Sequence, residues 1–156
     1  HSSEGLFANL VRVAMELGAT KVASYQSLQS EPDTSEFNAW VVATGRTLLL
    51  PRIENDDLVF ASGEVALGAF GIQEPSGAAV GLNALDLILV PALAIDASGN
   101  RLGKGKGFYD RALAKIECPK FAVIFDAEYL ESLPNESHDQ KVDGAISPSA
   151  INYFRN

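Results

Sequence analysis

One cysteine, one methionine and one tryptophan are spread over 156 residues. The lone Cys118 excludes an intrachain disulfide, and with His1 and His138 as the two histidines it leaves no paired spacing for a zinc site. Followed by Pro119 in an apolar neighbourhood, it reads as an inert buried thiol in a reducing cytosol. No apolar run comes near the ~18 residues of a membrane span, and no low-complexity tract, internal repeat or secretory signal stands out. Positive charge is scarce: 12 Lys and Arg against 20 Asp and Glu give a net charge of −8, which repels nucleic acid and anionic membranes. The common nucleotide motifs are missing too. No segment reads Gly-x4-Gly-Lys-Ser/Thr, and a dinucleotide fingerprint fails because Phe108 stands where it needs glycine. No Ser-His-Asp arrangement with its local signatures occurs, so His138 reads as a surface histidine.

What is there is an ordinary globular mix, 47% hydrophobic and 21% charged, in a chain long enough to fold as one domain and bury about two thirds of its unfolded surface. Against the acidic background, Arg101, Lys104, Lys106 and Arg111 outnumber Asp96 and Asp110 within one short stretch. That is a footprint for a small anion rather than a polymer. The stretch reads Arg101-Leu102-Gly103-Lys104-Gly105-Lys106-Gly107-Phe108-Tyr109-Asp110. Glycines at alternate positions free backbone N–H groups to converge on an oxyanion, the lysines add mobile charge, and Arg101 adds a fork for bidentate phosphate contact. The helical spacing from Tyr109 to Ile116 puts a helix N-terminus next to it.

Elsewhere helix and strand alternate. Leu6, Leu10, Ala14 and Leu17 share a face, predicting a helix over residues 3–17 with Gly18 as its stop. Residues 21–25 form a strand candidate. Asp33 with Glu36 reads as a capping box for a second helix that carries Phe37, Trp40 and Val41 and stops at Gly45; Trp40 belongs to its core stripe. Residues 47–50 and 58–60 read as strands about a polar turn, and residues 86–91 and 121–125 as buried strands. Residues 63–83 carry no clear pattern, and Ser147-Pro148-Ser149 reads as the start of a short last helix. The alternation predicts an α/β fold with an open, mainly parallel sheet and helices on both faces.

Several segments, in order along the chain, resemble the 5-formyltetrahydrofolate cyclo-ligases. They are Tyr25-Gln26-Ser27 with Glu31-Pro32-Asp33-Thr34, Leu50-Pro51-Arg52, Gly71-Ile72-Gln73-Glu74-Pro75, Val90-Pro91 with Asp96, Arg101 through Asp110, and Leu133 through Asp143. The resemblance implies the fold shared with ribose-phosphate isomerases and CoA transferases, and a single domain over residues 1–156 that lacks the family's basic N-terminal helix. It implies ring closure of 5-formyltetrahydrofolate to 5,10-methenyltetrahydrofolate with ATP and Mg2+, in a cytoplasmic monomer. By match, Arg101, Leu102, Gly103, Lys104, Gly105, Lys106, Gly107, Phe108 and Tyr109 would cradle ATP, with Arg101, Lys106 and Tyr109 catalytic. Asp110 and Asp139 would hold magnesium, with Asp143 as an alternative to Asp139. Glu31 would accept from the pterin, Gln26 would touch it through its backbone, and Phe108 and Tyr109 would wall the ring. Phe108 replaces the first tyrosine of the family's Tyr-Tyr pair, and Pro32 replaces an apolar residue. These departures keep two other readings open: a folate-binding protein without turnover, and a sugar-phosphate isomerase on the same fold.

Overall fold

A computed structural model describes residues 2–68, 73–105, 107–136 and 139–154. At its centre five strands run parallel: β1 (Lys21–Ala23), β2 (Thr47–Glu54), β7 (Leu87–Pro91), β10 (Lys120–Val123) and β12 (Gly144–Ile146). Their spatial order is β12-β10-β7-β1-β2. Antiparallel strands close both flanks, β13 (Ile151–Tyr153) on β12, and β3 (Asp57–Ala61) with β6 (Ala79–Val80) beyond β2.

The apolar runs dictate the layering. In β7, Leu87 and Leu89 face one side and Ile88 and Val90 the other, all fully buried, as a parallel strand covered on both faces requires. The first side packs on α1 (Leu6–Glu16) and α2 (Ser35–Ala43) through Leu6, Leu10, Val13, Phe37 and Val41. The second packs on α3 (Phe108–Leu113) through Ala112 and Leu113. The expected two-sided α/β sheet is therefore present. A small sheet of β11 (Tyr129–Leu130), β8 (Ala94–Asp96) and β9 (Arg101–Leu102), and the hairpin of β4 (Val65–Leu67) with β5 (Gln73–Pro75), complete the strands.

Several local readings shift. Helix α1 begins at Leu6, after Gly5 at φ 93°, and Leu17 is turned outward. Thr34, not Asp33, occupies the cap position of α2, while Asp33 accepts bonds from the backbone and hydroxyl of Ser35. The predicted last helix is a β-turn instead: Ser147 N–H donates to the Ala150 carbonyl at 2.9 Å and joins β12 to β13. Pro148 suits that turn as well as a helix start, and the alternation Ile151-Asn152-Tyr153 decides for strand. Residues 63–83 hold β4, β5, β6 and a 3-10 turn at Leu82–Ala84, each too short to leave a period in the sequence. Gly71 and Ile72 lie outside the described residues.

Two of the quoted segments meet in space. Arg52 Nη1 donates to the Pro75 carbonyl at 2.7 Å, and the Ile53 N–H to Glu74 Oε2 at 2.8 Å. Asp96 is a further tie. Its buried carboxylate accepts from the Ser98, Asn100 and Leu133 N–H groups and from Asn100 Nδ2, at 2.8–3.0 Å. Burial alone would raise its pKa; the donors from Asn100, Leu133 and Ser98 outweigh it and hold the group below its ordinary value. Asp96→Ala strands four donors, so urea unfolding should register a loss of about 3 kcal/mol. The wild-type contribution is present above the unfolded carboxylate value near pH ~4. It is lost as pH falls through the lower folded value, and a variant matching wild type in urea would contradict this role.

Candidate active site

The strand order reverses between β1 and β7. From β1 the chain crosses through α2 to β2 on one side, and from β7 it crosses through α3, on the opposite face, to β10 on the other. Crossovers that diverge onto opposite faces open a crevice at the carboxyl ends of the strands they leave. β1 ends into Tyr25, Gln26 and Glu31; β7 ends at Pro91 and leads to the glycine loop.

Arg101 is the hub of that crevice. Its side chain is only 5% exposed, with Nη1 donating to the Pro91 carbonyl at 3.1 Å and Nη2 3.6 Å from Asp110 Oδ1. Nε is buried with no hydrogen-bond partner among the described residues. The guanidinium also lies 5.7 Å from the centre of the Tyr109 ring. Burial lowers the pKa of Arg101, and Asp110, Tyr109 and Asp139 act the other way; a guanidinium keeps its charge throughout. Burial likewise raises the Tyr109 phenol well above its ordinary value, with Arg101 opposing and Glu31 assisting. Tyr109 is therefore a neutral donor at physiological pH.

The loop between Arg101 and α3 is built from glycine for local reasons. Gly105 and Gly107 adopt φ 93° and 74°, and a Cβ on Gly103 would sit 2.8 Å from Arg101 Nη1. The N–H groups of Lys104 and Gly105 make no hydrogen bond to another described residue. Free amides, an unpartnered Arg Nε and mobile lysine charge form a donor set that fits phosphate oxygens. Helix α3 starts at Phe108, is only six residues long and caps on Gly107, so the loop and Arg101 offer more to an anion than its dipole. Lys106 lies outside the described residues. Phe108 is half-buried with the Arg111 guanidinium over its ring at 5.1 Å.

Two carboxylates flank the hub. Asp110 Oδ1 also accepts from the Gln140 N–H at 3.3 Å, and Asp139 Oδ2 accepts from the Glu136 N–H at 2.8 Å. Both act to keep the Arg101 charge against burial. Asp143, by contrast, binds the Lys120 N–H at 2.9 Å where β10 begins, on the amino edge of the sheet and away from the crevice. Among the described residues no three His, Cys, Asp or Glu side chains gather as a metal cage. Magnesium needs no such cage, since it takes one or two carboxylates and completes its shell with phosphate oxygens and water. Asp110 and Asp139 fit that demand.

Glu31 joins the loop from the β1 side. Its Oε2 lies 3.3 Å from Lys104 Nζ, and its Oε1 accepts from the Leu28 N–H at 2.7 Å. Thr34 and Ser27 exchange backbone-to-hydroxyl bonds across the base of the same loop. Gln26 is exposed there. Trp40 packs on Phe37, with the Arg46 guanidinium above it, and stays in the core layer. The Cys118 thiol, half-buried rather than fully buried, is pushed up to about 11, mainly by burial, which disfavours the thiolate.

Two residues that the sequence reading did not single out belong here. Tyr25, 5% exposed, has a buried hydroxyl without a partner among the described residues, a state that costs roughly 1–3 kcal/mol. Glu128, in the turn after β10, accepts from the Phe125 N–H at Oε1; burial raises its pKa and Glu31 adds to this. Both stand just past the carboxyl end of a buried strand, the signal that could have found them. Two surface hollows lie apart, about 360 Å3 by Glu4 and Asp126 and about 410 Å3 by Phe7 and Asp33. Neither is lined by a lysine or arginine, so neither suits a triphosphate.

Comparison with known proteins gives the family of the chain. The model of the 5-formyltetrahydrofolate cyclo-ligase family matches residues 1–148. A 5-formyltetrahydrofolate cyclo-ligase of Mycolicibacterium smegmatis is 33% identical over 148 residues, covering 86% of this chain and 76% of that protein. The Mus musculus protein of the same name is 29% identical over 146 residues, covering 81% and 72%. Among solved structures, the Aquifex aeolicus 5,10-methenyltetrahydrofolate synthetase superposes with a TM-score of 0.86 at 31% identity, covering 99% of this chain and 81% of that one. With the family model spanning nearly the whole length, the chain belongs to the 5-formyltetrahydrofolate cyclo-ligase family.

Proposed function

We propose that this protein closes 5-formyltetrahydrofolate to 5,10-methenyltetrahydrofolate at the expense of ATP, releasing ADP and phosphate, and that it works as a single cytoplasmic domain and a monomer. The observation that carries the reading is the buried Arg101, its Nε unpartnered among the described residues, beside Asp110 and linked through the glycine loop and Lys104 to Glu31. Phosphate-binding and pterin-binding chemistry thus share one crevice. Membership of a cyclo-ligase family favours turnover over bare folate binding or sugar-phosphate isomerisation.

The chemistry needs little covalent help from the protein. A formyl oxygen is a poor leaving group, so it first takes the γ-phosphoryl group: an O–P bond forms and the bond to ADP breaks. The neighbouring folate amine then attacks the activated carbon, the C–O bond breaks, phosphate leaves and the amine proton passes to solvent. Positioning and charge supply the rest. Arg101 offers a fixed fork to the transferring phosphate, the amides of Lys104 and Gly105 line it, and Lys104 and Lys106 add charge. Neutral Tyr109 presents a donor and, with Phe108, an aromatic wall; Gln26 meets the pterin through its backbone. Glu31 accepts from the pterin N–H groups, which holds the ring in line. Magnesium, held by Asp110 and Asp139 with phosphate oxygens, would spread the triphosphate charge.

Mixing the protein with 5-formyltetrahydrofolate and Mg-ATP tests this. The methenyl product absorbs in the near ultraviolet, and ADP should appear with it one for one. Folate binding without either signal would sink the reading.

A further inference from the structure

Tyr25 is held with unusual care for a residue whose hydroxyl makes no hydrogen bond among the described residues. Its carbonyl accepts from Thr34 Oγ1 at 2.7 Å and from Asn38 Nδ2 at 2.9 Å, and Asn38 is itself fixed by the Ser24 hydroxyl at 2.7 Å. Ser24, Thr34 and Asn38 are all buried. This clamp sets the backbone just past the carboxyl end of β1, and the ring is 5% exposed in the core layer of α1 and α2, yet the hydroxyl ends buried and without a partner among the described residues. A phenylalanine would fill the same space without stranding a donor.

The groups around the hydroxyl are those of the pterin side of the crevice. Burial first, and then the charges of Glu31, Tyr109 and Glu128, raise the Tyr25 phenol well above its ordinary value, so it stays a neutral donor. Its two acidic neighbours are already engaged: Glu31 with the Leu28 N–H and Lys104, Glu128 with the Phe125 N–H. Among the described residues the Tyr25 hydroxyl is thus left as an unused donor near Glu31. A 2-amino-4-oxo pteridine presents along one edge an amino donor, a ring N–H donor and a carbonyl acceptor. If Glu31 takes the two donors, the carbonyl beside them needs a donor, and that is the leftover group.

We propose that Tyr25 is a specificity-determining residue whose hydroxyl donates to the carbonyl oxygen on the pteridine edge that Glu31 reads. The proposal rests on the reading of Glu31 given above. Glu31 turns from Lys104 to the ligand, and the ligand carbonyl reaches the hydroxyl beside it. A site built around such a bond rejects an analogue that cannot accept it, because the donor is then left stranded.

The test compares wild type with Tyr25→Phe by calorimetric titration, without nucleotide, using 5-formyltetrahydrofolate and its counterpart with a 4-amino group in place of the 4-oxo group. Wild type should prefer the 4-oxo ligand by about 300-fold, since the 4-amino ring lacks both the carbonyl and the ring N–H that Glu31 takes, and Tyr25→Phe should cut that preference about tenfold, leaving the share that belongs to Glu31. The melting temperature of the free variant should equal or exceed that of wild type, since no bond is lost. An unchanged ratio, or a variant that melts lower and weakens for both ligands alike, overturns the proposal. Wild type that binds and discriminates but never forms methenyl product with Mg-ATP overturns the assigned reaction and leaves Tyr25 standing. Wild type that binds neither pteridine overturns both.

Discussion

Arg101→Ala is expected to lower kcat/KM about a thousandfold, roughly 4 kcal/mol of barrier, with most of the loss in kcat. The guanidinium is nearly buried between the Pro91 carbonyl and Asp110, and its Nε has no partner among the described residues. Charge developing on a transferring phosphoryl group is stabilised most by a donor already fixed in a dry site. Arg101→Lys separates charge from shape. A lysine keeps the charge but cannot hold Pro91, Asp110 and a phosphate at once, so about a hundredfold loss should remain. Thermal melts keep folding apart from catalysis, because the alanine variant also leaves the Pro91 carbonyl without its donor. A folded Arg101→Ala enzyme within about threefold of wild type would remove Arg101 from the chemistry.

Glu31→Ala should raise the KM for 5-formyltetrahydrofolate about 100-fold while moving the KM for ATP less than about fivefold. Charge-assisted bonds to two N–H groups account for the first number. The second follows from the Lys104 contact: at 3.3 Å, with the lysine half exposed, this ion pair is worth no more than about 1 kcal/mol. Lys106→Ala should show the reverse pattern, a raised KM for ATP and little change for folate. Steady-state kinetics with each substrate varied in turn reads both, and equal effects of both variants on both substrates would contradict the division of the crevice.

Much of this arrangement was legible from residues alone, and the reasons differ by element. β7 and β10 announced themselves because strands buried on both faces must be apolar at consecutive positions, as Leu87 to Val90 and Phe121 to Val123 are. The glycine loop was visible because positive φ at Gly105 and Gly107 leaves a compositional mark. Residues 63–83 left none: β4, β5 and β6 are two or three residues long, and β5 is tied to β2 by Arg52 on the Pro75 carbonyl and by Glu74 on the Ile53 N–H. The segment after Ser147 misled because Pro148 serves a turn as well as a helix start, and only pairing with β12 distinguishes them.

The site divided along similar lines. Arg101, Tyr109 and Asp110 are neighbours in sequence, and the family resemblance marks them together. Tyr25 and Glu128 acquire meaning only when the ends of β1 and β10 come into one crevice, a fact of topology that no local pattern carries. The ambiguity between Asp139 and Asp143 was of the same kind. Four residues apart in sequence, one acts to keep the Arg101 charge and the other is tied to the opposite edge of the sheet.

Crystals grown with 5-formyltetrahydrofolate and a non-hydrolysable ATP analogue test most directly whether one crevice serves both ligands. The account predicts the γ-phosphate on Arg101 and the amides of Lys104 and Gly105, with the pterin against Glu31. A nucleotide bound at a distance, with Arg101 Nε still unpartnered, would contradict it.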